Sequence, residues 1–488
     1  MPVDSRNKIQ EFDELTISKL FGHEAAEDED PSRLIEYYFK SDSYEQVTTK
    51  LPLRILVGHK GIGKSALFKV AMQEDKNNNQ MMALIKPDDI IGLGSSSKEF
   101  LQIIREWKDG LSEIISKKIL QSTGSLTDGN IGKLRSYGGA VVDFLSDTFR
   151  DKLKDYDLMP SKQILIDNYL KDKSINIYID DLDRGWQGRK EDIFRISALL
   201  NAVRDMASEN PGLNFKISLR ADVYYLVRTS DESTDKIEGS VIWQTWTNQE
   251  ILVMLIKRIE TFFGRQVNET LLKKTPQDKL SWYLNPIFHP FFRGEGHWKN
   301  APTYKVMMSL IRKRPRDIIK ICTLSARAAK KDHKNRIDTY HLENVFQEYS
   351  QGRLQDTINE YRSEMNDIER LLLNMKPNKK EKQTKLGYLY NTNDLMKKID
   401  NIQETGKFHF ANGRLATNKE LAAFMYKINF LTARRDIEGG IIDRKYFEEN
   451  RYLSNEFTEF GYKWEVHPAY RWVLQPDSKW DIYRNYIL

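Results

Sequence analysis

ILVGHKGIGKSALFKV, residues 55–70, decides the reading of this chain. An apolar run, Ile55-Leu56-Val57, stops at Gly58 and meets a glycine-rich turn. Gly58-His59-Lys60-Gly61-Ile62-Gly63-Lys64-Ser65 fits G-x-x-x-x-G-K-[ST], and Ala66-Leu67-Phe68-Lys69-Val70 reads as the start of an amphipathic helix. The context is strand, loop, helix, as a phosphate-binding loop requires.

Each residue type has a physical task there. Glycines let successive backbone N–H groups turn inward as an anion nest at the positive end of a helix. Lys64 is expected to bridge the β- and γ-phosphates of ATP, and Ser65 to ligate Mg²⁺. The expected nucleotide-binding set is Gly58, His59, Lys60, Gly61, Ile62, Gly63, Lys64, Ser65 and Ala66.

Working outward, a second strand is expected at 81–86 and a long helix from about Ser97 to Leu120, with Phe100, Ile103, Ile104, Trp107, Leu111, Ile114 and Ile115 at helical spacing. A turn-rich stretch at 122–132 opens an expected insertion that closes near Pro160. SINIYIDDLDR, 174–184, then gives a buried strand ending in acids, the Walker B pattern. Asp180 is expected to hold the Mg²⁺ shell with Ser65, and Asp181 to polarise the attacking water. Further strands are expected at 215–219, ending before Arg220, and at 241–246, with Thr247 and Glu250 capping the next helix.

Alternating strands and helices predict an α/β fold, a doubly wound parallel sheet with its ligand at the C-terminal strand edge. Beyond Gly264 helices take over: one begins at Pro315 with Ile318, Ile319, Cys322, Ala326 and Ala329 on a stripe, and another spans about 340–373. KPNKKEKQTK, 376–385, reads as an exposed linker. After it come two helices and a two-stranded ribbon around Gly439-Gly440, which suggest a winged-helix-like α+β domain. The expected division is a nucleotide core with a helical N-terminal segment over 1–264, a helical lid over 265–375, and the winged-helix-like part over 376–488.

Composition narrows the class. The 488 residues are too many for one core, and 40% hydrophobic against 30% charged is an ordinary globular balance. The single Cys322 excludes an internal disulfide, and no apolar run is long enough to span a bilayer, so no membrane role and a cytoplasmic location are expected. A net charge of +6, from 76 basic and 70 acidic residues, permits nucleic-acid contact without arguing for it.

These motifs resemble the AAA+ and STAND side of the P-loop NTPases, and more narrowly the bacterial KAP-like ATPases, in which IDDLDR closes the Walker B strand. The resemblance implies ATP hydrolysis with Mg²⁺. It also implies a sensor role for Arg220, a lid role for Arg316 in RPRD, and a finger acting on a neighbouring subunit for Arg184 or Arg189 behind it. The membrane helices of many KAP members are not seen, and Asp-Asp stands where most AAA+ proteins have Asp-Glu. The expected role is a homo-oligomerising switch in bacterial defence, with an effector protein on a separate chain. The alternative is a DNA loader or remodeler that uses the C-terminal domain, supported by Lys376, Lys379, Lys380, Lys382, Lys385, Arg434 and Arg435. A small-molecule kinase fits less well, because such enzymes lack a helical lid of this length.

Overall fold

Five short apolar runs build one parallel sheet in the unit Lys40–Gln244. The computed structural model describes residues 9, 11–78, 80–94, 99–122, 174–230, 232–295, 298–383, 387–437, 441–450, 453 and 461–475. Beyond Ser122 the expected insertion lies outside the described residues, as do Lys385 and the Gly439-Gly440 turn.

The strands are β1 (Leu53–Gly58), β2 (Met82–Ile85), β3 (Ile175–Ile179), β4 (Leu213–Arg220) and β5 (Val241–Trp243), in the order β2-β3-β4-β1-β5. β3 is buried at every position, as expected of a parallel strand covered on both faces. Helix α1 (Lys64–Asn77) covers the face carrying Tyr178 and Asp180, where Phe68 meets the Tyr178 ring edge-on at 5.2 Å. Helices α2 (Phe100–Ser122), α3 (Lys190–Glu209) and α4 (Ala221–Ser230) serve the opposite face, where Trp107, Leu199 and Val223 join the core of Val57, Ile177, Ile179 and Ile217. The sheet is therefore doubly wound.

A polar seam crosses the α1 face. Asp75 accepts from Asn176 Nδ2 at 2.8 Å and from Tyr178 Oη at 2.7 Å, and Lys216 Nζ donates to Tyr178 Oη at 3.1 Å. Burial lowers the Lys216 pKa and, with Asp75 beside it, raises that of the Tyr178 hydroxyl.

The second unit joins Met1–Phe39 to Thr245–Leu488. The N-terminal segment and residues 245–264, expected with the nucleotide core, thus group with the C-terminal part. Thr247 and Glu250 form the expected capping box, Thr247 N–H to Glu250 Oε2 at 2.8 Å and Glu250 N–H to Thr247 Oγ1 at 3.1 Å, and open α5 (Asn248–Phe262). Helix α6 (Pro315–Lys331) buries all five residues of its predicted stripe.

Three expectations here need correction. The helix expected over 340–373 is two helices, α7 (Thr339–Tyr361) and α8 (Ile368–Leu373). Between them the Glu364 carbonyl accepts from Ala411 N–H at 2.9 Å and its carboxylate from Lys427 at 2.7 Å, which pins the turn. The lysine-rich linker contains a short helix, Lys379–Gln383, whose Glu381 N–H is capped by Asn378 at 2.8 Å and whose Glu381 carboxylate holds Lys398 at 2.8 Å. The two-stranded ribbon is part of a four-stranded sheet. With β6 (Leu389–Tyr390), β7 (Leu431–Ile437), β8 (Ile441–Lys445) and β9 (Lys463–Val466), the order is β8-β7-β9-β6. Trp464 of β9 pairs with Ala433 on one side and Tyr390 on the other, so the late WEV segment is central to that sheet.

Candidate nucleotide site

β1 ends at Gly58, and the loop enters α1 through Gly61 (φ 79°) and Gly63 (φ 102°), both left-handed. Space dictates Gly58 instead: a Cβ there would lie 2.9 Å from Ile62 Cγ2 and 3.2 Å from Gln244 Cβ. His59 and Ile62 are buried beneath the loop, and Lys60 is exposed. Lys64 Nζ donates to the carbonyls of Gly58 at 2.8 Å and His59 at 3.3 Å, so the ammonium lies over the loop mouth. Ser65 and Ala66 follow on the first turn of α1, both partly exposed.

The acids of IDDLDR divide by surroundings. Asp180 accepts from the Ser218 hydroxyl on neighbouring β4 and, at 2.9 Å, from the Asp181 N–H. Asp181 sits at φ 62°, a conformation few non-glycine residues adopt, and pairs with Arg184 at 2.9 Å. Burial first, then Asp183 and Asp180, push its carboxyl pKa up against the opposing pull of Arg184. Ser65 and Asp180 are hard oxygen donors of the kind Mg²⁺ takes, and Ser218 and the Asp181 N–H hold Asp180 in place, so this donor set fits the ion.

The arginines sit in distinct surroundings. Arg220 stands at the end of β4, but its Nε and Nη2 lie on Asp222 at 2.9 and 2.5 Å and its Nη1 on Asp183 at 3.2 Å. It braces the β3 and β4 loops. Arg184 and Arg189 are exposed on the loop after β3. Arg316 belongs to the other unit, half-buried on the first turn of α6, with Nε donating to the Glu24 carbonyl at 3.3 Å. Around it, RKRPRD is mostly structural. Buried Asp317 binds Arg312 Nε at 2.8 Å and Arg353 Nη1 at 2.7 Å, and Arg314 binds buried Glu360 at 3.3 Å. Burial opposes the charge of Asp317, but Arg312, Arg353 and Arg314 outweigh it and hold the carboxyl well below the ordinary range.

Of the basic residues near the terminal hairpin, Arg434 is only 3% exposed, with Nη1 on buried Glu465 at 3.0 Å. It is removed from any nucleic-acid surface. Arg435 is exposed and lies 3.2 Å from Asp443. Sequence reasoning missed Ser218, Asp183, Asp222 and Gln244. The alternation Lys216, Ser218, Arg220 in NFKISLR carried the signal for Ser218, since a period of two puts it on the face of Asp180.

A five-stranded parallel sheet with the glycine loop closing β1, the acids closing β3, and β4 between them defines a P-loop nucleotide-binding core. Residues 249–358 match the FunZ-associated C-terminal helical domain, a sequence family confined to that part of the second unit. No curated protein sequence matches the chain. Similar solved structures include a Walker-type ATPase of Pyrococcus abyssi (TM-score 0.41, 11% identity, 90% of this chain and 96% of that one). They also include the ORC2 protein of Aeropyrum pernix in its ADPNP-ADP complexes (TM-score 0.42, 10% identity, 91% and 96%). Cdc6p of Pyrobaculum aerophilum aligns more loosely (TM-score 0.28, 11% identity, 94% and 99%). Among the described residues no helix is long and apolar enough to cross a membrane.

Proposed function

We propose that the chain is a Mg²⁺-dependent ATPase acting in the cytoplasm. The observation that carries this is the alignment of Gly58 and Asp180 at one edge of one sheet, with Asp180 oriented by Ser218 and by the Asp181 N–H. Lys64 and the loop amides hold the phosphates, Ser65 and Asp180 hold the ion, and Asp181 orients and deprotonates the water. A Mg²⁺ ion held by Ser65 and Asp180 would supply charge neutralisation at the phosphates. The test is phosphate release from ATP with and without Mg²⁺, in the wild type and Lys64→Ala; Mg²⁺-independent or Lys64-independent turnover overturns the reading.

The broader role we infer is a homo-oligomerising switch of AAA+/STAND, KAP-like type, working in bacterial defence with an effector on a separate chain. Its support is the motif resemblance and the exposure of Arg189 and of Arg184, the latter also paired with Asp181 of its own chain. The DNA-loader alternative rests on exposed Lys376, Lys379 and Lys380 and on a winged-helix-like reading of the terminal helices and hairpin; it loses Arg434 as support. Light scattering with ATP tests the first. Salt-titrated duplex binding tests the second, since phosphate contacts weaken steeply with salt.

A further inference from the structure

Gln244 follows β5, next to the loop. Its N–H donates to the Val57 carbonyl at 2.8 Å, continuing the register Leu56 with Ile242 and Val57 with Trp243, so it stands beside Gly58. By strand alternation its side chain leaves the sheet on the face of Leu56, Ser218 and Asp180, the face that α1 covers. The near contact between its Cβ and any Cβ on Gly58 fixes the same placement. Gln244 is 2% exposed, and neither its amide oxygen nor its amide nitrogen has a hydrogen-bond partner among the described residues. Buried amides are almost always paired, so an amide with neither end paired beside a ligand loop points to a ligand carrying an adjacent donor and acceptor, and because both ends are closed off from solvent here, the ligand's entry must displace the covering loop.

The strand order says which part of the ligand that is. Asp180 lies two strands from β1 on one side, and Gln244 lies one strand away on the other. A nucleoside triphosphate whose terminal phosphates face Asp180 therefore extends its sugar and base toward β5. We propose that Gln244 reads the base: its oxygen accepts from the exocyclic amino group of adenine and its NH₂ donates to the adjacent ring nitrogen, the pairing that glutamine makes with adenine elsewhere. This rests on the nucleotide reading of the P-loop.

The test is calorimetry on the full chain with ATP, 2′-deoxy-ATP and purine riboside triphosphate, which lacks only the adenine amino group. Wild type should prefer ATP over the purine riboside analogue by on the order of tenfold or more. Gln244→Met, of similar length and without polar atoms, should bind the two alike while keeping its ATP to deoxy-ATP ratio. Its melting temperature without nucleotide should equal or exceed wild type, because no partnered amide is lost. If Gln244→Met does not fold, Gln244→Glu serves, since a carboxylate cannot donate to the ring nitrogen. An undiminished base preference in the variant, or loss of the ATP to deoxy-ATP ratio instead, overturns the role of Gln244. ATP binding by wild type with no base preference overturns it too, whereas folded wild type that binds none of the three overturns the nucleotide reading itself.

Discussion

The guanidinium of Arg184 lies 2.9 Å from the carboxylate of Asp181, the residue expected to activate water. Arg184 thus holds down a pKa that burial and two neighbouring acids raise. A base works only when deprotonated, so the rate falls as pH drops through its pKa. Arg184→Ala should therefore move the acid limb of the kcat/KM profile to higher pH. An unmoved limb would show that Asp181 is not the group titrating there.

Asp181→Asn should bind ATP as wild type does and lose about 10²- to 10⁴-fold in turnover, the usual size of a general-base contribution. Asp180, held by Ser218, is untouched by the change. Wild-type turnover in this variant would end the division of labour between the two acids.

Lys64→Ala should leave the melting temperature without nucleotide near wild type, because Lys64 is partly exposed at the loop and no part of the apolar core. The stabilisation by ATP should disappear. Equal ATP-induced shifts in thermal melts of mutant and wild type would contradict a phosphate-binding role.

Arg220 braces Asp222, which is 3% exposed, and Asp183. Arg220→Ala takes a cation away from a buried carboxylate and should cost about 3–5 kcal/mol in urea unfolding, with Asp222→Asn in the same chain recovering part of the loss. A sensor arginine free of such partners would give a small stability change and a large loss of kcat. Strict additivity of the two substitutions would mean the brace carries no energy.

Asp317 offers a test in the second unit. Its folded pKa is depressed, so its contribution is fully present above the unfolded value of about 4 and is lost as pH falls below that toward the folded value. The stability gap between wild type and Asp317→Asn should be constant from pH 8 to pH 5 and narrow only below about pH 4. A gap that changes near neutrality would point to another titrating group.

The glycine loop, the acidic strand end and the strands beside them were legible because each depends on local residue order: GHKGIGKS and INIYIDD fix backbone and chemistry within a few positions. What escaped depends on long-range pairing. Ser218 meets Asp180 across 38 positions, and Gln244 meets Gly58 only through the β1 to β5 register. Arg434 was misjudged for the same reason: nothing near it in sequence announces Glu465, which folds back 31 positions later. The break in the 340–373 helix is likewise set from outside, by Ala411 and Lys427.

The charge lattice around RKRPRD has a mechanical consequence. Arg312 reaches Tyr470 Oη at 3.2 Å, Thr357 meets the same hydroxyl at 2.9 Å, and Lys313 reaches Glu449 at 2.5 Å. The entry of α6 is thereby riveted both to α7 and to the segments flanking the terminal sheet. Re-aiming Arg316 by twisting α6 alone would expose bare ions to an apolar interior, a steep penalty. Any stroke that carries Arg316 must therefore swing the terminal sheet with it, as a lever arm carries its far end.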